Sequence, residues 1–213
     1  MDLTKYTHAC VRLDDGDRSL VIDPGVFSEL EAALNGVSAI LITHEHPDHI
    51  HSERVAAALA ADPRLQVYAP LAVVESLDEF GDQVIAVDPG QTFVAAGFEV
   101  QTFGGQHAVI HPSIPVIANI GYLIEESVYH PGDSFAVPSV PVKTLLLPTH
   151  APWNKVSEVI DFAVAVRAPH AFQIHDSLIT DIAANLIEGH VARISAPFGV
   201  TFQHLAPLTT VTV

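Results

Sequence analysis

The sequence predicts an α/β fold of layered sheets with helices on the outside. Three observations carry this expectation. Short strand-like and helix-like runs are interspersed along the 213 residues, hairpin-type and buried-type strand candidates occur together, and helical patterns arise in both halves without following every strand. A single parallel sheet would alternate strand and helix strictly. The chain is long enough for one well-filled domain, and no Gly/Ser linker or charge block divides it, so residues 1–213 are expected to form one unit.

Taken in order, HACVRLDD, a Gly16-Asp17 turn and RSLVID read as a hairpin closed by Asp23-Pro24-Gly25. Residues 27–34 carry a short helix. SAILIT is a buried-type strand, and SERVAAALAA is a helix with Ser52 as N-cap and Val55 and Leu59 on one face. LQVYAP, VIAVD, QTFVAAG, FEVQTF, VIANIGYLI and SVYH are strand candidates, with the helical run LAVVESLDEF after the first. KTLLLP resumes the buried-strand pattern. WNKVSEVIDFAVAVR places Val156, Val159, Ile160, Ala163 and Val166 at helical spacing, and ITDIAANLIEGHVARI places Ile182, Leu186, Val191 and Ile194 on one stripe behind Thr180 as N-cap. SAILITHEH and KTLLLPTH each run a strand into a histidine loop, which hints at two related halves.

Composition narrows the function classes. Twenty-five acidic residues against nine basic ones give a formal charge of -16, a field that repels nucleic acid and anionic membranes and favours a small-molecule substrate. No signal-peptide pattern opens the chain and no apolar run approaches bilayer length, so a cytoplasmic location is expected, with oligomeric state left open. Cys10 is the only cysteine; its apolar surroundings suit a buried thiol rather than a nucleophile.

THEHPDHIH, residues 43–51, packs four histidines and an aspartate into nine positions. His44 and His46 follow directly on SAILIT, two apart on extended chain, so both can point the same way and grip one ion. Pro47 bends the chain, after which Asp48 and His49 can serve a neighbouring ion. An ordinary histidine-rich turn would produce His-x-His-x-Asp-His in well under about one chain in a hundred. A catalytic site needs further donors from other strand ends, and His107 in GGQHAVIHP, Asp133 in YHPGDS and His175 in AFQIHD are the candidates.

With these motifs the chain resembles the metallo-β-lactamase superfamily over nearly its whole length. The resemblance implies a four-layer αββα sandwich with the site along one edge. It further implies that His44, His46 and His107 hold one zinc ion, that Asp48, His49 and His175 hold the other, and that Asp133 bridges them. Length, Asp23-Pro24-Gly25 and YHPGDS look most like the branch of ascorbate-6-phosphate lactonase and small metal-dependent hydrolases. One departure stands out: Ile50-His51-Ser52 replaces a frequent glycine after Asp48-His49. Zinc is the expected metal, as two ions, with manganese or iron as alternatives; a redox di-iron member of the family typically carries glutamate where this chain has His46.

Two ions about 3.5 to 4 Å apart can share a water and lower its pKa towards roughly 7, so no serine or cysteine nucleophile is required. The expected enzyme is a metal-dependent hydrolase in which the resulting hydroxide attacks a small ester, lactone or amide, with Asp48 as the catalytic residue orienting it or taking its proton. A phosphodiesterase using the same two metals is one alternative. A non-catalytic metal- or ligand-binding protein is another. His111, His130 and His150 are candidates for pocket lining or for support of the donors, each weighed against a purely structural role. Trp153 and Lys155 are weaker ones. His8 is read as a satisfied buried histidine, and Asp176 as structural. Gly104, Gly105 and Gly132 are read as permitting tight backbone rather than cradling phosphate.

Overall fold

In the computed structural model, which describes residues 1–213, fourteen strands form two seven-stranded sheets. The first half of the chain supplies β1 (Asp2–Lys5), β2 (Val11–Asp15), β3 (Arg18–Ile22), β4 (Ala39–Leu41), β5 (Gln66–Ala69) and β6 (Val84–Ala86). The second supplies β7 (Thr92–Ala95), β8 (Phe98–Gly104), β9 (Ile120–Ile124), β10 (Val128–His130), β11 (Thr144–Pro148), β12 (His170–Ile174) and β13 (Thr201–Gln203). The last strand, β14 (Thr209–Thr212), returns to the first sheet and pairs with β1, giving the orders β14-β1-β2-β3-β4-β5-β6 and β13-β12-β11-β10-β9-β8-β7.

Side chains alternate across each sheet with the period-2 geometry of a strand. In β4, Ala39 and Leu41 join the core between the sheets, while Ile40 faces the other way with Ile42. In β11, Leu146 faces that central core and Leu145 and Leu147 face outward. Outward residues of the first sheet are covered by α1 (Leu30–Ala33), α2 (Ser52–Ala61) and α3 (Leu71–Ser76) through Ala33, Val55, Leu59 and Val73. Those of the second sheet are covered by α4 (Val156–Val166) and α5 (Asp181–Ser195) through Val159, Ile160, Ala163, Ile187 and Val191. Two sheets packed face to face, with helices on both outer surfaces, make an αββα sandwich. No helix is long and apolar enough to cross a membrane.

Three expectations need correction. The strands β1, β13 and β14 carry half-polar runs, DLTK, TFQ and TTVT, that gave little pattern to read. Ser52 is the first residue of α2 rather than its cap; His51 takes the cap position, with no side-chain bond. In α5 the buried stripe runs through Ile187 and Val191, whereas Ile182 and Leu186 are 84% and 63% exposed. Val191 and Ile194 of the expected stripe do pack on the second sheet, but with Ile187 in place of Ile182 and Leu186, which lie on a different face of the helix.

Candidate metal centre

The seven candidate donors converge at one edge of the sandwich. His44 through His49 follow β4, Asp133 follows β10 and His175 follows β12, while His107 lies on the chain leaving β8. The two sheets are stitched together beside them: Ile120 N–H donates to Thr43 carbonyl at 2.9 Å, and Tyr122 hydroxyl donates to Ile42 carbonyl at 2.9 Å. Backbone must pass closely here. A Cβ on Gly25 would stand 1.9 Å from the Asp48 carbonyl oxygen, and Gly132, at φ +63°, would meet Asn119 Oδ1 at 2.3 Å. That tight backbone is what the sequence led us to expect at Gly132.

Donor atoms fall into overlapping groups within 4.8 Å of one another: His44, His46 and His107; Asp48, His49 and His175 together with His8; and His44, His49 and Asp133. Asp133 therefore stands between the other two groups. Its Oδ1 is 3.1 Å from His49 Nε2, and its Oδ2 is 3.1 Å from His175 Nε2 and 3.4 Å from His107 Nε2. His44 Nε2 is 3.1 Å from His46 Nδ1, and His175 Nε2 is 3.5 Å from Asp48 Oδ2. Two donors each about 2.1 Å from one tetrahedral ion would stand roughly 3.4 Å apart.

Hydrogen bonds fix which ring nitrogens face the cluster. His107 Nδ1–H donates to the Ala108 carbonyl, and His175 Nδ1–H to the His150 carbonyl, both at 2.6 Å. His49 Nδ1–H donates to Asp23 Oδ2 at 2.6 Å. In each ring Nε2 is thereby the nitrogen aimed inward. Three of these atoms, His49, His107 and His175 Nε2, are buried with no hydrogen-bond partner, as is Asp133 Oδ1. Orphaned buried polar atoms are costly and rare, and four on one centre point to a cation as their partner. The donor set of imidazoles and carboxylates suits zinc and its neighbours.

Electrostatics differ from ring to ring. Burial favours neutral rings and, with His49 nearby, pushes His44 well below the usual histidine range. Burial acts the same way on His175, but the Asp133 carboxylate beside it wins and raises its pKa to about 9. Burial would raise Asp133 and Asp48; His49 and His175 instead hold Asp133 low, and the nearby His175 ring together with the hydrogen bond from His8 holds Asp48 low. Both carboxylates are thus anions, as donors to a metal must be.

Support comes from residues the sequence underrated. Asp23, read as part of a turn, accepts from His49 and from Thr43 N–H (2.8 Å) and hydroxyl (2.7 Å), orienting the start of the histidine loop. Trp153 donates its indole N–H to Asp133 Oδ2 at 2.8 Å. His8 is buried, but it belongs to the site: its Nδ1 faces Ser177 hydroxyl at 2.8 Å and Ser177 N–H at 3.4 Å, and its Nε2 lies 3.1 Å from Asp48 Oδ2. With Nδ1 accepting from Ser177 N–H, the proton sits on Nε2 and is donated to Asp48, so His8 positions that carboxylate rather than facing an ion. Nothing near residue 8 in the sequence signals a partner forty positions on.

The three supporting candidates fare differently. His130 does not touch Asp133; its Nε2 bonds the Ala9 carbonyl at 2.8 Å and its Nδ1 accepts from Gly132 N–H at 3.1 Å, shaping the turn before the aspartate. His150 contributes its carbonyl to His175, not its ring. His111 lies exposed, bonded to Ser113 within its own loop, and is not part of the donor groups. Asp176 accepts from Lys5 and Gln173, and Lys155 pairs with Glu158, both structural roles.

A family profile described as a β-lactamase superfamily domain matches residues 2–175. The chain belongs to the metallo-β-lactamase superfamily of metal-dependent hydrolases. Protein Rv0786c of Mycobacterium tuberculosis is 38% identical over 200 residues, covering 92% of this chain and 93% of that one. The UPF0173 metal-dependent hydrolase MJ1163 of Methanocaldococcus jannaschii is 29% identical over 138 residues, 62% of this chain and 60% of its own. In fold, the hydrolase is similar to Igni18, a metallo hydrolase from Ignicoccus hospitalis, with a TM-score of 0.76 at 20% identity over 99% of this chain and 97% of that one. The family and the αββα sandwich expected from the motifs are both borne out.

Proposed function

We propose that the chain is a two-zinc hydrolase of a small ester, lactone or amide. The observation that carries this reading is the set of four orphaned, inward-aimed donor atoms, His49, His107 and His175 Nε2 and Asp133 Oδ1. His44, His46 and His107 would hold one ion, Asp48, His49 and His175 the other, with Asp133 between them. Ions bound there supply Lewis acidity and a water acidified to near neutrality. Asp48, held as an anion beside His8 and His175, would orient a reacting water and accept its proton. Trp153 and Asp23 keep Asp133 and His49 in register, and the buried cluster limits bulk water to the side where His46 and Asp48 are partly exposed.

A carbonyl substrate is preferred over a phosphodiester because no lysine or arginine side chain bonds any of the seven donors; their ion pairs are with one another, with His8 and with Asp23. Phosphoryl groups are usually met by such cations. Metal analysis after zinc supplementation is expected to give two equivalents per chain. Parallel lactone, acyl ester, amide and aryl phosphodiester panels are expected to show turnover in the carbonyl arms; turnover confined to phosphodiesters would reverse the preference, and metal without any turnover would favour a binding protein.

A further inference from the structure

We infer that the substrate carries an extended, uncharged apolar group held by an apolar collar around the metal centre, an inference that rests on the hydrolase reading above. Fourteen large apolar side chains stand exposed on the molecule, and nine of them fall in three short segments, residues 26–27, 109–116 and 178–186. Each segment is joined to the site at one end or both. Val26 N–H donates to the Pro47 carbonyl in the histidine loop at 2.9 Å, and the Phe27 ring meets the His8 ring edge-on at 5.3 Å. Residues 109–116 leave the cluster at His107 and come back to it, since His107 N–H bonds the Ile117 carbonyl at 3.0 Å and Ala108 N–H the Asp133 carbonyl at 2.8 Å. Leu178 follows Ser177, which bonds His8, and Ile182 and Leu186 continue one turn apart on the exposed side of α5.

Apolar surface concentrated in this way marks a binding site rather than ordinary surface scatter. The position of the collar identifies its occupant. Of the seven donors only His46 and Asp48 reach the surface, so a reacting carbonyl must approach there and whatever flanks it must lie across the collar. A charge of -16 on every copy disfavours a second copy of the chain, and equally an anionic lipid surface, as the cover. A neutral alkyl or acyl flank matches the apolar side chains and is not repelled by the field.

The test uses zinc-supplemented protein and a series of straight-chain hydroxamates, from acetohydroxamate to dodecanohydroxamate, which bind zinc through one head group. Quenching of Trp153, the only tryptophan, reads binding directly because its ring lies 6.1 Å from that of His107 and 6.4 Å from that of His175. The dissociation constant is expected to tighten about two- to fourfold per added methylene until the collar is spanned. An Ile110→Ser/Leu178→Ser double variant, altered only at exposed positions, is expected to flatten that slope while leaving acetohydroxamate affinity unchanged. Equal affinity along the series overturns the collar and leaves the hydrolase reading standing. Failure of acetohydroxamate itself to bind removes the hydrolase reading, and the collar with it. Sedimentation showing a dimer that Ile182→Glu splits would give the patch to a second copy and also overturn the inference.

Discussion

The two sheets are built alike and used differently. Read from β14 to β6 and from β7 to β13, each has three antiparallel pairings followed by three parallel ones. Corresponding strands end in corresponding chemistry: β4 runs into Thr43-His44 and β11 into Thr149-His150, while β3 is followed by Asp23-Pro24-Gly25 and β10 by Pro131-Gly132-Asp133. Yet the first sheet places four candidate donors on one loop, and the second sends His107, Asp133 and His175 from three. His44 presents its ring and His150 only its carbonyl; Asp23 supports a histidine, whereas Asp133 is itself a candidate donor. Shared architecture fixes where strand ends lie, and side-chain choice at each end decides whether it donates to the cluster or braces it.

The largest effect should follow from removing the group that joins the halves. Asp133→Ala is expected to lower turnover by at least about 10³-fold and to leave fewer than two metal equivalents by elemental analysis, since its loss forfeits charge stabilisation worth several kcal/mol. Full metal content and activity would show that the halves bind independently. Next is Asp48→Ala, on the first sheet's loop, expected to cost about 10²- to 10⁴-fold in kcat with an unchanged circular dichroism spectrum; wild-type activity would remove its role in proton transfer.

Bracing residues should matter less, and comparably in the two halves. Trp153→Phe keeps an aromatic ring but removes the N–H donated to Asp133, and His8→Ala removes the donor to Asp48; each is expected to cost about 10- to 100-fold in activity or metal affinity. Partial recovery in His8→Gln would separate the hydrogen bond from simple packing. A large loss in one variant and none in the other would break the parallel between the halves.

The smallest effect is one of pH. In metal-free protein the His175 pKa is raised to about 9, above its ordinary value near 6.5, so the stabilisation it gains from Asp133 is full below about pH 6.5 and is lost as pH rises through 9. The thermal midpoint of chelator-treated protein should therefore decline across that window. With metal on Nε2 the decline should vanish, and its persistence in zinc-loaded protein would place His175 outside the bound set.

How much of this was legible in sequence follows from distance along the chain. His44 to His49 share one short loop, so their spacing alone carries a geometric meaning. His107, Asp133 and His175 could be named because each stands near a strand end, where an αββα sandwich gathers its loops. His8 and Trp153 could not be read in the same way, because their roles depend on loops far apart in sequence meeting at a particular angle. The same logic explains α5. Its period of 3.6 is plain in the sequence, but Ile182 and Leu186 compete with Ile187 and Val191 for the inner face, and only the neighbouring sheet settles which pair is buried.

Val213 N–H donates to the Met1 carbonyl at 2.9 Å, because β14 lies alongside β1. The first sheet is thus interrupted by the whole of the second, and its edge is sewn shut only by residues some 200 positions downstream of its first strand. Linking the two ends and reopening the chain at the exposed Asp88-Pro89-Gly90 segment would yield a permuted protein in which each sheet is encoded without a break. By that measure the seam of the molecule lies between β6 and β7, and the β14–β1 pairing is an interior point of one sheet.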